Sequence, residues 1–115
     1  MDHADLLPDV LRIGAAVYKF VPRSALWYAE EGCHGNVEFD LHEINIATED
    51  RPLSEVLDTM VHEVLHVCWK EWYLGKRPRE EPAVTKMATA LCAVFSQNPE
   101  YVEAISIMTG SLNDE

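Results

Sequence analysis

The segment Val61-His62-Glu63-Val64-Leu65-His66 constrains this chain more than any other. Apolar residues recur around it at helical spacing. Leu57, Val61, Val64, Leu65, Cys68 and Trp72 form one wide stripe, and Val56, Met60 and Val67 form a second. A helix that is apolar on two sides must be covered on two sides. The spacing therefore predicts a helix from Pro52 or Ser54, with Ser54 as N-cap, to about Leu74, stopped by Gly75. It places that helix between a sheet and further helices. His62 and His66 fall four residues apart on one face of it, close enough for both imidazoles to reach one metal ion, with Glu63 beside them. The plainer reading of the same residues is two surface histidines and a solvated glutamate.

The flanking segments supply the sheet and the other helices. Leu11–Ile13 and Val17–Val21 alternate around Gly14 and read as a hairpin, and Ala25–Tyr28 reads as a third short extended piece. Val37–Phe39 and Glu43–Ile46 form a second hairpin around Asp40–His42, half buried, with Val37 and Phe39 on one side and Ile44 and Ile46 likewise on one side. After the basic loop Lys76-Arg77-Pro78-Arg79, a helix starts near Glu80–Pro82 and ends at Asn98-Pro99. A last helix runs from Pro99 or Glu100 to Gly110, burying Tyr101, Val102, Ile105 and Met108. The fold class is α+β: a small antiparallel or mixed sheet on the His62–His66 helix, with two further helices toward the C-terminus. At 115 residues with 48% apolar content, the chain is one domain.

Charge and cysteine usage narrow the function classes. The formal net charge is −11, with acidic pairs such as Glu30-Glu31 and Glu80-Glu81 spread along the chain. Such a surface repels phosphate backbones, which argues against nucleic-acid binding. Cys33, Cys68 and Cys92 are odd in number and form no CxxC pair, so a cysteine zinc site has no support. Cys68 and Cys92 lie in apolar helical patterns and read as buried thiols of a reducing compartment. The acidic start lacks the basic and apolar regions of a signal peptide, and no stretch reaches membrane-span length. The expectation is a cytoplasmic protein that binds no membrane.

A zinc site built on two histidines needs a third protein ligand and an open fourth position. Glu80 and Glu81 follow His66 by 14 and 15 residues, at the start of the next helix, and an antiparallel return would bring that turn to the metal. Glu81 shares a face with Val84, Ala88 and Leu91. Glu80 shares one with Val84, Met87 and Leu91 almost equally well and remains the alternative. Both glutamates also suit the helix N-terminus as plain dipole partners. Zinc held there acidifies water and polarises a carbonyl, and Glu63 would accept the water proton and hand it to the leaving amine. Tyr73, further along the helix, is read as structural, His42 as an ordinary turn histidine and Cys33-His34 as loop. An edge strand next to the metal helix, either Glu43–Ile46 or Val37–Phe39, could pair with an extended peptide.

The ordered set Gly35-Asn36-Val37, Phe39-Asp40, Ile44-Asn45-Ile46, Thr59–His66, Glu80-Glu81 with Val84, and Asn98-Pro99-Glu100 resembles small phage- and prophage-encoded zincin-like proteins of the glutamate-ligand kind. The resemblance covers roughly residues 11–105. It implies a minimal zincin fold, His62, His66 and Glu81 or Glu80 as Zn2+ ligands, and Glu63 as general base. It also implies peptide-bond hydrolysis in a protein or peptide substrate. Pro82 departs from the helix-favouring residue usual after the glutamate pair, which keeps the register of the third ligand open. Two rival readings stand beside it. One is a protein-binding module on the same fold, its metal structural or lost. The other is an acidic mimic of nucleic acid.

Overall fold

The computed structural model describes residues 2–72 and 80–113, with the backbone alone for 80–85 and 88. A short 3-10 turn at Ala4–Leu6 leads into β1 (Val10–Ile13) and β2 (Ala16–Arg23), followed by α1 (Ala25–Glu31). Next come β3 (Gly35–Glu38) and β4 (Glu43–Ala47), then α2 (Leu53–Glu71), α3 (Glu80–Gln97) and α4 (Pro99–Asn113). The fold is α+β. One four-stranded mixed sheet has the order β1-β2-β4-β3, antiparallel except where β2 runs parallel to β4. Among the described residues no helix is long and apolar enough to cross a membrane.

Both hairpins form, with Gly14 turning the first at φ +59°, but β3 starts at Gly35 and ends at Glu38, so Phe39 falls in the second turn rather than in the strand. Ala25–Tyr28, however, is helical rather than extended. Ser24 caps α1, its Oγ accepting from the Trp27 N–H at 3.2 Å, and Gly32 ends it in the left-handed region at φ +73°. A serine and a glycine eight residues apart, enclosing helix-favouring residues, outweigh the short apolar run.

β4 differs from the half-buried strand expected. It is central, and Ile44, Asn45, Ile46 and Ala47 are all fully buried. Asn45 is the polar exception, satisfied by the Arg23 Nε–H at 2.8 Å and by donating to Asn36 Oδ1 at 2.8 Å. The other face of β4 meets α2. Arg51 clamps that junction, donating to Ala47 O at 2.7 Å and to Thr59 Oγ1 at 2.9 Å. This guanidinium ties the end of β4 to the second turn of α2 and so sets the angle at which that helix crosses the sheet.

α2 packs on the sheet on one side and on α3 and α4 on the other. Its deepest residues are Val56, Met60, Val64, Val67 and Cys68, each at most 1% exposed, while Leu57, Val61, Leu65 and Trp72 are half-buried. The core of the helix is thus the second patch, Val56, Met60 and Val67, together with Val64 and Cys68 from the wide stripe. Ser54 is not its cap. Pro52 holds that position without a side-chain bond, and Ser54 lies in the first turn. The helix ends at Glu71, and Tyr73, Gly75 and the Lys76–Arg79 segment lie outside the described residues.

α3 has the expected bounds, but Cys92 on it is exposed, in contrast to Cys68. Burial pushes the Cys68 thiol up to about 11, which keeps it protonated and unreactive. α4 buries Tyr101, Ala104 and Met108, while Val102 is exposed. It also continues through Gly110, because one glycine costs a helix only about 1 kcal/mol and Leu112 beyond it packs on the core.

Candidate metal centre

The site begins with the pitch of α2. His62 and His66 stand one turn apart on its exposed side, and their Nε2 atoms lie 3.1 Å from each other. Two nitrogens bound at about 2.0–2.1 Å to one tetrahedral zinc stand about 3.3 Å apart. The ring nitrogens therefore already have the separation of a chelating pair, and their planes meet at 73°. In the metal-free protein the same approach is an imidazole–imidazole hydrogen bond.

Glu63, between them in sequence, packs against β3, lines a cleft together with His62 and is only 6% exposed. Burial raises its pKa, and the neighbouring charges of His62 and His66 oppose that rise. Its burial has a visible cause in β3. Gly35 brings the strand so close to α2 that a Cβ there would sit 2.8 Å from Thr59 Cγ2 and 3.4 Å from Glu63 Cγ. The same Cβ would meet Asn45 O at 2.7 Å, so no side chain fits without moving β3 off both β4 and α2. Gly110, by contrast, has open space around it. Gly35→Ala is expected to lower the melting temperature by roughly 4–12 °C, from about 1–3 kcal/mol of overpacking. Gly110→Ala is expected to raise it by a few degrees, as a helix-interior glycine gains a methyl. Thermal melts of the two variants, followed by circular dichroism, check both signs.

Two clefts meet at His62. One, of about 350 Å³, is lined by His62, Leu65, His66, Trp69 and Met87. The other, of about 280 Å³, is lined by His34, Gly35, Asp58, Thr59, His62 and Glu63. Met87 on one side and Gly35 on the other show that α3 and β3 wall the groove across the histidine pair. The structure thus brings together His62, His66 and Glu63 as the spacing predicts. Glu81 and its alternative Glu80 open α3, but their side chains lie outside the described residues. Among the described residues no group of three or more histidine, cysteine, aspartate or glutamate side chains could hold a metal ion.

His34 is the lining residue that the sequence concealed. Read as loop, it does occupy a bend before β3, yet it lines the same cleft as His62 and Glu63, and its ring packs on Tyr28 beside a further cleft. Only the contact of β3 with α2 brings it there, and the one local hint was Gly35 after it. His42 is a turn residue at φ 52°, its ring stacked on Tyr18 at 4.6 Å, and it lines neither cleft. Of the two strands considered for peptide pairing, Glu43–Ala47 is flanked on both sides by β2 and β3 and has no edge to offer. β3 is the edge strand beside α2.

Comparison with protein-family models, with curated proteins and with solved structures finds no match for this chain.

Proposed function

We propose that this protein is a zinc-dependent peptide hydrolase, with His62, His66 and Glu81, or Glu80 in its place, as the residues that hold the ion. The observation that carries this reading is the 3.1 Å separation of the two Nε2 atoms on an exposed helix face, at the mouth of a groove. It is supported by the burial of Glu63 immediately beside that pair.

When bound, zinc supplies Lewis acidity to a carbonyl oxygen and acidifies water beside it. The protein's own groups do the rest. His62 and His66 bind as neutral imidazoles, so acid that protonates them releases the ion. Glu63, made more basic by its burial, takes a proton from the attacking water and delivers it to the departing amine nitrogen. The edge of β3 can pair with an extended substrate and lay it along the groove, its main-chain groups satisfied as in a sheet. Leu65, Trp69 and Met87 give the α3 side of that groove an apolar lining for a substrate side chain.

Equilibrium dialysis tests the metal part directly. The wild type is expected to bind about one zinc per chain, and His62→Ala and His66→Ala each to weaken binding at least about 100-fold. Absence of zinc binding by the folded wild type would remove this reading in favour of a protein-binding module.

A further inference from the structure

We infer that the outer face of the sheet, turned away from α2, is where a second copy of this chain docks. Strand alternation sorts the sheet residues between two faces. Leu11, Ile13, Tyr18, Phe20, Ile44 and Ile46 point into the core on the α2 side. Their neighbours Val10, Arg12, Val17, Lys19 and Glu43 therefore point to the opposite face, and Glu38 joins them through its pairing with Glu43. Arg12, Lys19 and Glu38 are exposed there, and Val17 is 43% exposed. α1 bounds this face at one end, where Asn45 is buried beside Arg23 and the Arg23 guanidinium lies over Trp27.

The charges on this face are segregated rather than mixed. The cations Arg12 and Lys19 stand on β1 and β2, and the carboxylates Glu43 and Glu38 on β4 and β3. Val10, Lys19, Glu43 and Glu38 form one row across all four strands, so the sign changes once, between β2 and β4. No hydrogen bond or ion pair joins the side chains of Arg12, Lys19, Glu38 or Glu43 to any described residue, although Lys19 and Glu43 are register partners. A surface whose two halves differ in sign complements its own copy. Turned by a two-fold axis through the β2–β4 boundary, a second copy lays its β4–β3 half over β1 and β2, and Lys19 meets the partner's Glu43 once on each side of the axis. A partner of one sign, acidic or basic, would meet like charge on half of the face, which favours a second copy over either. Four strands at a spacing of about 4.8 Å, crossed by about five residues of β2 at about 3.3 Å each, give roughly 300 Å² of face, against about 800 Å² per partner in a standard interface. The association is therefore weak, with a dissociation constant on the order of 100 μM. It leaves the histidine groove, on the α2 side of the sheet, open, and it does not depend on the hydrolase reading.

Sedimentation velocity on the full chain tests this, from about 10 μM to about 1 mM at about 0.15 M salt, which screens the long-range repulsion between two chains of net charge −11. The wild type is expected to shift from monomer toward dimer across that range. Lys19→Glu and Glu43→Lys are each expected to weaken dimerisation at least about 10-fold, since each sets like charges against one another across the axis. Mixed in equal amounts, the two variants are expected to form a heterodimer, because the reversed charge of one faces the opposite charge of the other. The double variant Lys19→Glu/Glu43→Lys is expected to recover the dimer. A wild type that stays monomeric up to the highest concentration overturns the inference. A dimer that either single variant leaves unchanged overturns it too, as one built on another surface. So does a pair of single variants that remains monomeric on mixing.

Discussion

Glu63→Gln is expected to reduce peptide hydrolysis by about 10²- to 10⁴-fold while leaving one zinc bound per chain. The substitution keeps the shape of the side chain and removes the carboxylate that, in the proposed function, carries a proton from water to amine. A loss of zinc together with activity would instead make Glu63 a structural support of the site. The variant has a second signature that needs no substrate. Burial raises the pKa of Glu63 above its ordinary value. Its ionised form is therefore less well accommodated in the folded protein than in the unfolded chain, and the stability associated with the protonated form is lost as pH rises through the folded-state pKa. The glutamine is neutral throughout. Metal-free Glu63→Gln should accordingly melt higher than metal-free wild type at neutral pH, with the difference shrinking as pH falls toward the ordinary carboxylate range. Melting curves at a series of pH values, with a chelator present, measure it.

Asn98→Ala carries the largest expected loss of stability, about 3–4 kcal/mol, or roughly 10–15 °C in melting temperature. Asn98 joins α3 to α4 and is only 3% exposed. Its Oδ1 accepts from the Arg12 N–H and its Nδ2 donates back to Arg12 O, so the side-chain amide pairs with the outer edge of β1 as a neighbouring strand would. Nδ2 also donates to Val94 O at 2.8 Å, closing the last turn of α3. Gln97 extends the arrangement, its Oε1 accepting from the Gly14 N–H at 3.1 Å. Alanine would remove three hydrogen bonds and leave both main-chain groups of Arg12 without their partner. Asn98→Asp should rescue little, because a carboxylate oxygen would then face the Arg12 and Val94 carbonyls. The same change reopens an edge strand, so aggregation on heating should rise along with the fall in melting temperature. A melting temperature within 2 °C of wild type would contradict the role given to this amide. Asn98 thus serves the fold at the β1 edge of the sheet, opposite the edge where β3 meets α2.

The parts of the fold that were legible in the sequence are those set by local chemistry. Gly14 marks the first hairpin, the alternation of Val37 and Ile44–Ile46 the second, and Asn98-Pro99 the junction of the last two helices. What could not be read depends on which segments meet. The parallel pairing of β2 with β4 makes β4 central and buries Asn45, and no property of Glu43–Ala47 alone announces that partner. α1 was legible in principle from Ser24 and Gly32, but Leu26, Trp27 and Tyr28 between them suit a strand as readily as a helix. The site divides in the same way. His62, Glu63 and His66 are close in sequence, so helical pitch alone places them. His34 is 28 residues before His62 and enters the cleft only because Gly35 lets β3 approach Thr59 and Glu63.

The central claim, a zinc ion held by His62, His66 and a glutamate from the start of α3, is tested most directly by X-ray absorption at the zinc edge. The sample is protein loaded with one equivalent of zinc, compared with Glu81→Ala and Glu80→Ala. The expected first shell is two imidazole nitrogens with carboxylate and water oxygens, four or five atoms at about 2.0–2.2 Å. One of the two glutamate variants should lose the carboxylate contribution and bind zinc more weakly. A shell containing sulfur, or one without paired imidazole scattering, would contradict the account, as would a spectrum unchanged in both variants.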